Sequence, residues 1–289
     1  MKHLSEFLAA DWAALANSDV ARALSEDVGA GDLTAALVPA HRVAQARIVA
    51  RESAVVCGMP WAEAACRAVS PAITWQWQVT EGQRCQADQV VLRLQGPAPA
   101  LLTAERTVLN FLQLLSAVAT KTASFVAAVQ GTRAAIVDTR KTLPGLRLAQ
   151  KYAVTVGGGV NHRIGLYDAV LIKENHIAAA GGVSAVLQRV RESAPQARFV
   201  EIEVETLAQL DEALAAGAGM VLLDNMDLPT LREAVRRNAG RAVLEISGGV
   251  NLQTVRALAE TGVDRISIGG LTKDVQAIDF SMRFEEGLV

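Results

Sequence analysis

The sequence predicts an α/β protein: a parallel β/α barrel in its carboxy-terminal part, preceded by a smaller layer that mixes strands and helices. Three observations carry this. From Ala134 onward short apolar strands alternate with amphipathic helices at roughly 20 to 30 residues per unit, the rhythm of barrel repeats. Strand after strand there ends in a polar or glycine-rich cluster, as when strand ends converge on one mouth. Before the proline pair Pro97 and Pro99 the pattern differs, with several short strands, turns and few helices.

The chain opens on a helical pattern, Leu4, Phe7, Leu8, Trp12 and Leu15, followed by a second around Val20 to Leu24. Glu26-Asp27 and Gly29 to Thr34 form an acidic, turn-rich stretch whose glycines permit positive φ. Strands are expected at 44–50, 53–57, 73–79 and 90–94, with a helix at 60–69 that opens on Pro60. Trp75 and Trp77 alternate with polar neighbours, as in a half-buried strand. A helix then runs from near Leu101 to about Val129, with room for one break. Its uncharged stretch from Thr107 to Thr120 carries Asn110, Gln113 and Ser116 and reads as a buried helix rather than a membrane span.

In the second part six strands are predicted, at 134–138, 169–172, 199–204, 220–223, 242–246 and 265–268. Helices fall between them at 146–154, 183–192, 207–216, 229–238 and 252–260. The last segment, 278–289, reads as a strand or helix returning to the first domain. Polar residues at every strand end favour a ring over an open sheet, where they would gather at one switch point.

Composition limits the function classes. With 51% apolar and 20% charged residues the chain is an ordinary globular protein, which argues against disorder. The formal net charge is −2, yet Arg140, Lys141, Arg147, Lys151, Arg163 and Lys173 outnumber the acids between Asp138 and His176. A positive pocket in a mildly acidic protein suits a small anion better than a nucleic-acid duplex. The cysteines, Cys57, Cys66 and Cys85, are odd in number and contain no CxxC pair, which fits a reducing cytosol and disfavours disulfides or a thiolate zinc site. No signal-peptide pattern is read at the start, so a cytoplasmic location is expected, without membrane or nucleic-acid partners.

The chemistry lies at the strand ends. Asp138-Thr139-Arg140-Lys141-Thr142 sets a planar guanidinium beside a compact ammonium, the pair that carboxylates and phosphates select. Asn161-His162-Arg163 follows three glycines, and Lys173 closes the next strand, where an inward ammonium is costly unless an anion meets it. Glu203 and Asp224 end the following two. These carboxylates suit ribose hydroxyls, Mg²⁺ or a cationic transition state, or an internal salt bridge to Lys173 or Arg140. Glu201 shares a strand face with Glu203, and periodicity alone leaves the assignment between them open. Ser247-Gly248-Gly249 and Ile268-Gly269-Gly270 end the last two strands, the loops that cradle a phosphate in many barrels. No HxxH, Walker or GxSxG pattern is present.

Taken together, Glu105 to Phe111, Asp138 to Thr142, Asn161 to Arg163, Leu171 to His176, Glu201 to Val204, Leu223 to Met226 and Ser247 to Gly249 resemble the quinolinate phosphoribosyltransferases. These are also called nicotinate-nucleotide pyrophosphorylases (carboxylating), and Glu26-Asp27 and Gly31 to Thr34 are similar to their amino-terminal signature. The resemblance implies an incomplete barrel of about seven strands behind an amino-terminal α/β sandwich-like domain. The corresponding segments are 1–114 for that domain and its linking helix, 115–275 for the catalytic barrel, and 276–289 returning to the first domain. It implies transfer of the phosphoribosyl group of 5-phosphoribosyl-1-pyrophosphate to quinolinate with decarboxylation, giving nicotinate mononucleotide, pyrophosphate and CO₂ for NAD synthesis. Arg106, Thr139, Arg140, Lys141, His162, Arg163 and Lys173 are then expected on quinolinate, with Lys141, Lys173, Glu203 and Asp224 catalytic. Ribose and phosphate fall to Glu203, Asp224, Ser247, Gly248, Gly249, Ile268, Gly269 and Gly270. Mg²⁺ is expected with the donor at Glu203 and Asp224, directly or through the phosphates, and no organic cofactor. The resemblance further implies a homodimer with a shared site, or a higher oligomer built from it, in which Arg106 reaches the neighbour. A related pyrophosphorylase found with molybdenum transport is the alternative that its acid-binding cations would distinguish.

Overall fold

Alternating apolar positions and a run of small residues build the first unit around an antiparallel sheet. A computed structural model describes residues 12–285. The expected helix at Leu4 to Leu15 falls largely outside them. α1 (Trp12–Asp27) runs through the second predicted helix and ends on Glu26-Asp27. Asp32 then accepts the amides of Thr34 and Ala35, each at 2.9 Å, and fixes the turn-rich stretch that follows.

The strands are β1 (Val43–Ala50), β2 (Ala54–Val55), β3 (Thr74–Trp77), β4 (Arg84–Cys85), β5 (Val90–Pro97) and, from the far end of the chain, β12 (Phe280–Phe284). They form a four-stranded antiparallel sheet in the order β12-β1-β5-β3, and a β2-β4 pair. α2 (Met59–Val69) opens on Pro60 and inserts Trp61, fully buried, whose indole donates to Asp19 Oδ2 at 2.9 Å. Cys57, Cys66 and Cys85 are buried free thiols; burial pushes Cys66 up to about 12, so it is inert at neutral pH.

α3 (Ala98–Ala128) is one unbroken helix that starts earlier than the sequence suggests, because Pro99 sits in its first turn, where no N–H is needed. By length and composition it could cross a membrane, with a mean hydropathy of 1.3 over its apolar window. Half of that window is buried inside the protein, where Leu101, Val108, Leu109, Leu112 and Leu115 form the core of the first unit. α4 (Arg147–Val156) packs there too, and Gly157 after it comes so close to α3 that a Cβ would lie 2.5 Å from the Ala119 carbonyl oxygen. The first unit comprises the chain up to Ala123, Leu143–Gly158 and everything from Asp274.

The second unit, Ser124–Thr142 with Gly159–Lys273, holds the parallel sheet. Its strands are β6 (Ala135–Val137), β7 (Val170–Ile172), β8 (Val200–Val204), β9 (Met220–Asp224), β10 (Val243–Ser247) and β11 (Arg265–Ser267). They run in the order β6-β11-β10-β9-β8-β7, an incomplete barrel of six strands. Where a seventh would join, one isolated parallel bridge, Val137 to Val160, lies beside β6. The helices are α5 (Glu174–Ala180), α6 (Val183–Ser193), α7 (Leu207–Ala215), α8 (Leu228–Asn238), α9 (Val255–Ala259) and α10 (Gly270–Lys273). Thr206 caps α7 in a reciprocal pair with Gln209, and Asp227 caps α8 through the Thr230 amide, so both begin where the sequence signals place them. α9 starts three residues later than its pattern, because the Asn251 side chain accepts the Gln253 and Thr254 amides and holds them in a turn.

Candidate active site

The six strands deliver their last residues to one end of the sheet, where a cavity of about 330 Å³ opens. Thr139, Arg140, Lys141, His162, Arg163, Lys173, Glu203 and Ser247 line it, together with Leu171, Leu222, Glu245 and Ser267. The β/α rhythm thus gathers the cationic clusters read from sequence into one pocket. Asp224 pairs in register with Ser247, beside the pocket, and its charge is felt by Glu203. Gly248 and Gly249 follow at positive φ, 100° and 59°, a left-handed bend that exposes their amides after β10. Gly269 lets the Lys141 side chain pass where a Cβ would stand 2.8 Å from its Cδ. Arg106 is exposed on α3 in the first unit, beside buried Thr107 and Val108, and does not line this cavity.

The loops are pinned by buried acids. Asp138, fully buried at the end of β6, accepts Asn161 Nδ2 at 2.5 Å and the His162 amide at 2.9 Å, fixing the segment that carries Arg163. Beyond it Asp168 accepts the Ile164 and Gly165 amides at about 3 Å. Thr272 Oγ1 donates to the Lys141 carbonyl at 2.7 Å and holds the arginine-lysine turn. Lys173 begins α5, and its amide donates to His176 Nδ1 at 2.9 Å.

Charge is arranged to attract an anion. Arg163 is buried, and burial followed by the neighbouring Arg140 guanidinium lowers its pKa. Arg140 Nε is buried with no acceptor among the described residues. Two guanidiniums that repel each other, one with an unused donor, are what a compact multivalent anion would relieve. Lys173 Nζ lies 3.4 Å from Glu203 Oε2, the internal salt bridge that the sequence left open. Burial raises Glu203, Lys173 opposes that shift, and Asp224 adds to it.

Periodicity left Glu201 and Glu203 undecided, and depth separates them. Glu203 reaches the cavity, whereas Glu201 is fully buried beneath it beside buried Arg265 and Glu245, the latter at the cavity's lining; sequence reasoning selected neither Glu245 nor Arg265. Arg265 Nε donates to Glu245 Oε2 at 2.7 Å, from the residue facing it on β11. His162 Nε2 lies 2.7 Å from Glu201 and 3.5 Å from Glu245. These three residues have metal-ligand types and spacing. The Arg163 amide, however, donates to His162 Nδ1 at 2.7 Å, which leaves the imidazole proton on Nε2, where a metal would need a lone pair. With Arg265 already on Glu245, the cluster is built for hydrogen bonds rather than for a cation.

Two family models together cover most of the chain. Residues 32–116 match the family model "Quinolinate phosphoribosyl transferase, N-terminal domain" and residues 118–283 the corresponding C-terminal domain. A nicotinate-nucleotide pyrophosphorylase [carboxylating] of Mycobacterium leprae (strain TN) is 45% identical over 274 residues, covering 92% of this chain and 96% of its own. A probable enzyme of the same name from Bacillus subtilis (strain 168) is 39% identical, over 89% of each chain. The solved nicotinate-nucleotide pyrophosphorylase of Francisella tularensis superposes with a TM-score of 0.92 at 40% identity, over 94% of this chain and 97% of that one.

Proposed function

This chain belongs to the quinolinate phosphoribosyltransferase family, and on that premise we infer that its barrel pocket binds quinolinate and the diphosphate donor together. The protein is a nicotinate-nucleotide pyrophosphorylase (carboxylating), a pentosyltransferase of NAD biosynthesis. The single observation that carries the site assignment is the pair of half-buried Arg140 and buried Arg163, mutually repelling, with Arg140 Nε buried and unpartnered among the described residues.

Quinolinate carries adjacent carboxylates. One plane of them suits two guanidinium forks, with Thr139, Lys141, His162 and Lys173 around it. So held, the pyridine nitrogen faces C1 of the ribose; the N–C1 bond forms as the C1–O bond breaks and pyrophosphate departs. Glu203 and Asp224 offset the positive charge that develops on the ribose ring. The ring nitrogen is then cationic, so the C2–carboxylate bond can break with its electron pair left on C2. CO₂ departs and C2 takes up a proton. The bends at Ser247 to Gly249 and Ile268 to Gly270 offer amides to the ribose 5-phosphate.

Glu203 and Asp224 also fit Mg²⁺, since they present only hard oxygen donors and Asp224 disfavours the charge on Glu203, which a cation would relieve. The two carboxylates would hold the ion with the donor, where it would supply neutralisation of the pyrophosphate charge. Further parts of this reading are a cytoplasmic location, supported by three free thiols, and a homodimer in which the exposed Arg106 completes the partner's pocket.

Two experiments address this. Purified protein with quinolinate, 5-phosphoribosyl-1-pyrophosphate and Mg²⁺ is expected to yield nicotinate mononucleotide and CO₂ in equal amounts, and nicotinate in parallel to yield neither. Product from nicotinate, or none from quinolinate by folded protein that binds the donor, overturns the substrate assignment. For the shared site, Arg106→Ala and Lys173→Ala subunits, each inactive alone, are expected to regain activity when exchanged, since a mixed dimer holds one intact pocket. Confirmed exchange without recovery refutes the role of Arg106.

A further inference from the structure

Glu201 does no chemistry in the mechanism above, yet it stands at the centre of the polar cluster below the pocket. It is fully buried, and its Oε1 has no hydrogen-bond partner among the described residues. A buried carboxylate used on one side only is a burden on stability, and replacing such groups by apolar ones is often neutral or stabilising. Its one strong contact is to His162 Nε2 at 2.7 Å. The other nitrogen of that ring accepts the Arg163 amide at 2.7 Å. Carboxylate, imidazole and peptide therefore form a chain that leads from the barrel floor to the arginine at the mouth.

We propose that Glu201 is a positioning residue for quinolinate: it holds His162 as the Nε2–H tautomer, so that Nδ1 receives the Arg163 amide and the guanidinium is presented in one direction. The inference rests on the pocket's assignment to quinolinate. An imidazole turned the other way, or doubly protonated, would set an N–H against the Arg163 N–H and release that peptide. The groups around Glu201 agree with this. His162 and Arg163 come from the loop before β7, Glu203 lies further up β8, and Glu245 and Arg265 come from β10 and β11. Arg265 is held by Glu245, which leaves Glu201 to His162.

The test combines spectroscopy and kinetics. In the unmutated protein the ¹⁵N spectrum of His162 is expected to show an unprotonated Nδ1 and a protonated Nε2 at neutral pH. Glu201→Leu, which fills the space without an acceptor, is expected to raise the quinolinate KM roughly tenfold or more, leave the KM of the donor unchanged, and mix the two tautomers. Glu201→Gln, which keeps an acceptor, is expected to recover most of that loss. A protonated Nδ1 in the unmutated protein overturns the proposal however the variants fold. So does a folded leucine variant in which both KM values stay put or rise together. The tautomer is read without substrate, so failure of quinolinate turnover in the unmutated enzyme would strike the function and leave the His162 result to be judged by itself.

Discussion

Replacing Arg163 with alanine is expected to lower kcat/KM for quinolinate about a thousandfold, the range seen when one partner of a buried, charge-assisted pair is truncated. The guanidinium is buried beside Arg140, and the loop carrying it is pinned at both ends by Asp138 and Asp168. Its position is thus set before substrate arrives, at the expense of holding two like charges together. The same geometry gives the variant a second signature. Removing Arg163 ends the repulsion that, with burial, depresses its pKa, so urea denaturation should show stability equal to or above that of the parent. Activity lost with stability kept marks a binding residue. Arg163→Lys should restore little, because an ammonium cannot reproduce the planar fork. Arg140→Ala should behave alike, and the double variant should lose less than the product of the single losses, since both arginines act on one anion. An Arg163→Ala enzyme with unaltered kcat/KM, or one that simply unfolds, would remove the pair from substrate binding.

The residues at the mouth were legible because they break the pattern around them. Arg140, Lys141 and Lys173 each follow a short apolar strand, and Glu203 is the last residue but one of its strand, where a barrel sends side chains to its open end. The floor was not, because Glu201, Glu245 and Arg265 sit inside strands and each looks like one polar residue of an alternating pattern. A signal existed. In Val243-Leu244-Glu245-Ile246 the glutamate is flanked by apolar residues, and its partner in register on the next strand is Arg265. Reading that pair required the strand alignment, which a single sequence does not provide. α5 escaped for a related reason: Lys173 and His176 close its first turn through backbone contacts, without the usual Ser, Thr, Asp or Asn cap. Pro99 reads in sequence as the end of the first layer yet stands in the first turn of α3, since the same ring that stops a helix from within is harmless there.

Glu203→Gln tests the other half of the pocket. Its kcat is expected to fall about a hundredfold to a thousandfold with little change in the quinolinate KM, because the carboxylate acts on charge that develops on the ribose only in the transition state. The pH dependence follows from its surroundings. Burial raises Glu203 above the ordinary glutamate range, with Asp224 adding to the rise and Lys173 opposing it. A raised acid takes up its proton at higher pH, and the protonated form cannot offset an oxocarbenium charge. The kcat of the parent enzyme should therefore fall as pH drops through that raised value, while the glutamine variant should lack this acid limb. Lys173→Met provides the converse. Without the ammonium 3.4 Å away, Glu203 loses the one neighbour that lowers it, so whatever activity remains should show the acid limb displaced to higher pH. A limb that persists in Glu203→Gln belongs to another group, and a limb unmoved in Lys173→Met separates the two residues that the barrel mouth brings together.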